Sequence, residues 1–130
     1  MNSYQKIRTA KAKLLVDYPY FGTIASKLEL KEDNNIQNFK SDGYFYHYNS
    51  DFINNLNKKE LEFTLSNAVM HKVLAHQNRK SGRLSWLWQL ATDYAINDML
   101  SENGMQISEY AHYDKRFKSL YAEEIYTTLL

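Results

Sequence analysis

Cysteine is absent from the 130 residues of this chain. That excludes disulfides and thiolate metal sites, and it is compatible with a reducing compartment. Surplus charge is lacking as well: sixteen Lys plus Arg stand against fifteen Asp plus Glu, a formal net charge of +1. With no broad basic excess to neutralise phosphates, nucleic-acid binding is not expected. Short basic stretches such as Lys6-Ile7-Arg8 and Arg79-Lys80 read as solvated helix ends or faces. No apolar run approaches the roughly 20 residues that cross a bilayer, and the N-terminus has no signal-peptide core. No membrane association is therefore expected, and the cytoplasm is the default location. No Gly-rich phosphate loop or nucleophile elbow occurs either.

What is present is material for one packed globule. An apolar fraction of 44% and an aromatic fraction of 15% suit a single domain over residues 1–130, long enough to build one core. Eleven tyrosines make up most of the aromatic share. Each buries a ring and keeps a hydroxyl available.

Periodicity orders the chain. Ile7, Ala10, Leu14 and Leu15 predict a helix from Ser3 to about Asp17, stopped by Pro19. Ile24, Leu28 and Leu30 alternate with Lys27, Glu29 and Lys31, which predicts a half-buried strand. Lys31 to Gly43 reads as loop and turn, and Tyr44 to Tyr48 as an aromatic strand antiparallel to the first. Ser50 is placed to cap a short helix through Leu56. Asn57-Lys58-Lys59-Glu60 follows the capping-box pattern and opens a main helix running to about Arg79. Ser85 can cap a long helix, Trp86 to Glu102, closed by Asn103-Gly104, and a last helix covers about Leu120 to Leu129. Trp86, Trp88 and the tyrosine strand are expected in the core, and His47 and His112 read as incidental. The fold class is α+β, with several helices packed on a short antiparallel sheet.

The main helix carries the chemistry. Zinc peptidases of the zincin type set two histidines four residues apart on a helix, with a glutamate directly after the first. Both imidazoles then share a face, and the glutamate deprotonates the zinc-bound water. The frame Asn67-Ala68-Val69-Met70-His71 has that spacing, but Asn67 stands at the first ligand position and Ala68 at the base. An asparagine amide is a poor zinc ligand beside imidazole, and alanine moves no proton. His71 reads either as a leftover ligand or as a hydrogen-bonded histidine at the core edge. His76 lies roughly 140° further round an undistorted helix. The two rings would meet only if the helix broke near Ala75.

On the next helix, Gln89, Asp93 and Asn97 recur at four-residue steps and form a polar stripe on an apolar helix. The stripe faces solvent, or buries a carboxylate against Arg79 or Arg83, or faces Asn67 and His71.

The chain resembles a family known as the putative metallopeptidase domain, found N-terminal to von Willebrand factor A-like domains in bacteria. Five stretches carry the resemblance: Asp17-Tyr18-Pro19-Tyr20-Phe21; Ser41-Asp42-Gly43 with Tyr44 to Asn49; Phe52 ahead of Leu56-Asn57-Lys58-Lys59-Glu60-Leu61; His76 and Arg79, where the family's metal helix continues; and Trp88 to Asn97. The ending Ala122-Glu123-Glu124-Ile125-Tyr126 is also similar. The resemblance implies a zincin-like fold, the N-terminal portion of a longer architecture, and an encoded neighbourhood of MoxR-type ATPases. It also implies that the Asp93 stripe faces Asn67 and His71, with Arg79 and Asn97 lining the site.

Because the departure falls on Asn67 and Ala68, the expected function is a non-catalytic interaction module. Its expected partners are a MoxR-type ATPase and a von Willebrand factor A-like domain, and no cofactor is expected. The competing expectation is a metal-binding domain or hydrolase with a rearranged zinc site using His71, His76 and Asp93.

Overall fold

The computed structural model describes residues 1–41, 44–109 and 111–130. Among them the chain forms seven α-helices and three strands, in an α+β arrangement.

Helix α1 (Ser3–Asp17) opens with Asn2 as its cap, which accepts from the Gln5 N–H while the Gln5 side chain reaches back. Its Ile7 and Leu14 are fully buried. Pro19 does more than end α1: it is the first residue of α2 (Pro19–Ala25), where its missing N–H costs nothing. The strand expected from Ile24 therefore begins later, because Ile24 is helical and only Glu29–Glu32 form β1. Gly22 is where α2 meets α1. A Cβ there would lie 2.4 Å from the Leu15 backbone.

The sheet corrects two further expectations. The segment read as loop contains β2 (Phe39–Ser41), and β3 (Phe45–Tyr48) runs parallel to β1, not antiparallel. With strand order β1-β3-β2, and β2 antiparallel to β3, the sheet is mixed. A helical α2 leads directly into β1, so no hairpin joins β1 to β3, and the intervening β2 makes the hairpin-type pairing instead. The turn expected at Asp42 and Gly43 lies outside the described residues. On β3, Tyr46 and Tyr48 turn inward, and the Tyr46 hydroxyl shares a 2.7 Å hydrogen bond with Thr64 Oγ1.

Asn49, not Ser50, caps the short helix α3 (Ser50–Asn54). Asn57 and Glu60 form the expected capping box at the start of α4 (Lys58–Val73). Every residue of α4 from Leu61 to His71 is buried, as befits a helix surrounded on all sides. It packs against α1, α2, β2 and α6 (Ser85–Glu102). The main core joins α1, α2, β3 and α4 to the C-terminal half of α6. A second cluster, built on Leu87, Trp88, Ala91, Phe117 and Ile125, joins α6 to α7 (Ala122–Leu129). Trp86 belongs to neither: it is 69% exposed, against expectation. Among the described residues no helix is long and apolar enough to cross a membrane.

Candidate functional site

The main helix does not run to Arg79 as expected. It ends at Val73, and after Leu74 the backbone of Ala75 turns left-handed, with φ 54° and ψ 42°. A new short helix, α5 (His76–Arg79), starts at once. On an unbroken helix His76 would point away from His71. The reversal at Ala75 brings the two rings together, with Nδ1 to Nδ1 at 3.3 Å and ring centroids 5.4 Å apart. Trp88 holds the new position from the other side: its Nε1–H donates to the His76 carbonyl at 2.9 Å, and its ring meets the imidazole edge-on.

The polar stripe of α6 faces this pair. His71 Nε2 lies 3.1 Å from Asp93 Oδ1, and Gln89 Nε2 sits 3.4 Å from both Asp93 oxygens. Asn67 Nδ2 donates to Asn97 Oδ1 at 3.1 Å and, at a longer 3.5 Å, to Asp93 Oδ1. The proposed bonds from Asp93 to Arg79 or Arg83 do not form. Arg79 turns toward α7, where it pairs with Glu123 through Nε at 3.0 Å and through Nη2, and its Nη1 caps the Leu74 carbonyl at 3.0 Å. Arg79 thus secures the end of α4 without lining the cleft.

Chemistry fixes the direction of the bonds that end on a carboxylate or a carbonyl. Asn97 Nδ2 donates to the His112 carbonyl at 2.8 Å, so its Oδ1 is the acceptor that faces Asn67. A carboxylate accepts only, so His71 Nε2 carries the proton toward Asp93. Across the histidine pair one Nδ1 donates to the other. His76 Nε2 is buried and, among the described residues, has no hydrogen-bond partner. Burial first, then the neighbouring His71 and Arg79, pushes the His76 pKa down to about 3. The ring is neutral at physiological pH.

Asn67, His71, Gln89, Asp93 and Asn97 floor an open cleft of about 300 Å³ between α4, α6 and the edge strand β2, and His76 lies behind His71 outside its lining. Its walls include Asn38 and Phe39 on the β2 side, Phe63 on α4, and His112. Those four were missed in the sequence. Phe63 had a signal, since Phe63, Asn67 and His71 repeat at four-residue steps along α4. Asn38 and Phe39 had none once the segment was read as loop, and His112 serves through its backbone carbonyl. His47 lies on β3, away from these walls.

The zincin zinc would need three ligands with an open fourth position. Here Asn67 offers an amide, Ala68 is fully buried in the core, and His71 Nε2 already donates to Asp93. Among the described residues no group of three or more His, Asp or Glu side chains is placed to hold a metal ion. Asn67 and Ala68 thus supply neither the first ligand nor the base of a zincin site, and the donors of ligand type that remain together are His71, His76 and Asp93.

No curated protein and no solved structure matches the chain. A family does: residues 2–130, nearly the whole length, match the one described as putative metallopeptidase domain, and the chain belongs to it.

Proposed function

We propose that this chain is a non-catalytic, metallopeptidase-derived module that holds a protein partner in its cleft without cutting it. The observation that carries the reading is the replacement at Asn67 and Ala68, together with what Asn67 now does. Its amide nitrogen is tied to Asn97 and Asp93, so the first ligand position has become part of a closed hydrogen-bond network. A base that would activate water has no counterpart at Ala68, whose side chain is buried. The work assigned to the module is in an ATPase-linked assembly of the MoxR type, beside a von Willebrand factor A-like domain.

One observation favours a second reading, a rearranged zinc site using His71, His76 and Asp93. The two Nδ1 atoms stand 3.3 Å apart, close to the ligand spacing around a tetrahedral zinc with bonds of about 2.0–2.1 Å. Elemental analysis of the purified chain, repeated on His71→Ala, decides between them. Stoichiometric zinc lost in the variant would establish the second reading and call for a peptidase screen. Metal-free protein that hydrolyses no peptide and co-purifies with a MoxR-type ATPase is the result expected of the first.

A further inference from the structure

The hydrogen bonds on the cleft floor have a one-sided remainder. Among the described residues each side-chain nitrogen of this floor is turned onto a neighbour: Asn67 Nδ2 onto Asn97 and Asp93, Asn97 Nδ2 onto the His112 carbonyl, Gln89 Nε2 and His71 Nε2 onto Asp93. Their oxygens are not consumed to the same degree. Among the described residues no donor reaches Asn67 Oδ1 or Gln89 Oε1, and Asp93 Oδ2 has one contact, at 3.4 Å from Gln89. On this floor acceptors outnumber free donors, and one of the acceptors is a carboxylate; the cation that lines the cleft, Lys40, stands on the β2 wall. Such a floor is complementary to a group that donates several hydrogen bonds and accepts none, and ammonium and guanidinium are the side-chain groups of that kind.

A second observation lies along the same face of α6. Trp86, Gln89, Asp93 and Asn97 follow each other at steps of three, four and four residues, so they line one side of the helix. Trp86 is the outermost, and it is 69% exposed while Trp88, two residues on, is buried. It sits roughly 10 Å from Asp93 along the helix axis at 1.5 Å per residue. An exposed tryptophan beside a polar cleft is the kind of group that anchors a protein contact. Its ring can take the stem of a long basic side chain or the face of a guanidinium.

We infer that the cleft receives a lysine or arginine side chain of a protein partner, its cationic head on Asp93 and the acceptors of Asn67 and Gln89, with Trp86 packing against the partner at the mouth. This rests on the interaction reading and names the chemistry the cleft recognises. The partner's recognition segment is accordingly basic.

The test uses the full chain and capped amino acids as probes: the N-acetyl, C-methylamide derivatives of arginine, lysine and norleucine, followed by backbone amide shifts on titration. Arginine and lysine probes are expected to bind about tenfold or more tighter than norleucine, the difference a charge-assisted hydrogen bond makes. Asp93→Asn, which keeps the shape, should remove that preference. Trp86→Ala, at an exposed position, should weaken binding severalfold with melting unchanged, and it serves if the Asp93 variant is unstable. Equal binding of norleucine, or a preference that survives Asp93→Asn, overturns the inference. If neutral or acidic peptides shift the cleft resonances and basic ones do not, the cationic assignment fails and the interaction reading stands. Peptide hydrolysis by the metal-free chain would defeat that reading itself.

Discussion

The left-handed turn at Ala75 gives a sharp quantitative test, because its side chain is exposed and substitution there acts almost wholly through the backbone. An L-residue in that conformation costs roughly 1–2 kcal/mol relative to the right-handed region, and glycine escapes the penalty. Glycine loses part of that gain, about 0.4–1 kcal/mol, to the greater freedom of the unfolded chain. Ala75→Gly should therefore stabilise the protein by about 0.5–1 kcal/mol. At about 2.1 cal/mol/K of unfolding entropy per residue, a chain of 130 residues gains about 2–4 °C in melting temperature. Ala75→Val carries the opposite sign. A β-branched residue is an outlier in this region, and a loss of about 1–2 kcal/mol, roughly 4–7 °C, is expected. Calorimetry on the three proteins reads both effects, with helix content by circular dichroism as the control. A glycine variant that melts lower than the parent, or a valine variant that melts alike, would mean that the chain does not reverse at Ala75. The pairing of His71 with His76 would then lose its structural basis.

The close approach of α2 to α1 predicts that Gly22→Ala is damaging: its Cβ meets the Leu15 backbone at 2.4 Å, and forced separation should cost about 3 kcal/mol in urea unfolding. Glu62 is buried, and burial first, then the nearby Asp17, raises its carboxyl pKa. A raised folded value favours the protonated form, so stability relative to Glu62→Gln is retained below the ordinary glutamate range and lost as pH rises through the raised value. Glu62→Gln should accordingly match the parent near pH 4 and be the more stable protein at pH 7, by urea unfolding at both. Finally, His71 Nε2 and Asp93 Oδ1 already stand 3.1 Å apart, near the ligand spacing of a tetrahedral zinc site. Asn67→His, which restores the first ligand position, should therefore create zinc binding. At zinc a hundredfold above Kd the gain is about 2.7 kcal/mol, or about 10 °C in melting temperature. No thermal shift with zinc would show that α4 and α6 do not hold the spacing of a zinc site.

Helices were the legible part of the fold because their signals are local. The capping box at Asn57 and Glu60, the closing Asn103-Gly104 and the apolar spacing of Ile7, Ala10 and Leu14 each sit within a few residues of the boundary they mark. The sheet was less legible. Whether β1 pairs parallel or antiparallel with β3 depends on what connects them, and the three residues of β2 carry too little pattern to stand out from a polar loop. Ile24 shows the same limit: alternation across Ile24, Leu28 and Leu30 imitates a strand, but Pro19 starts a helix that overrides it. Trp86 shows another, since composition places a tryptophan in the core by default and only the packing of α6 against α4 and α7 determines which face is left outside.

The site divides along the same line. The Gln89, Asp93 and Asn97 stripe was visible as a four-residue repeat, and its meeting with Asn67 and His71 followed once α4 and α6 were neighbours. The place of His76 was not visible, because its direction depends on one backbone torsion at Ala75, where the sequence offers alanine and not the glycine that would announce a left-handed turn. That torsion decides what kind of site this is. With α4 continuous, His71 would keep Nδ1 free, and Asp93 alone would hold its ring. With the chain reversed, the His76 ring closes on Nδ1 while Nε2–H stays with Asp93. The histidine that a metal site would need as an acceptor has become a donor inside a closed network. Asn67 at the first ligand position and His71 held by Asp93 are the two features on which the proposed recognition role rests.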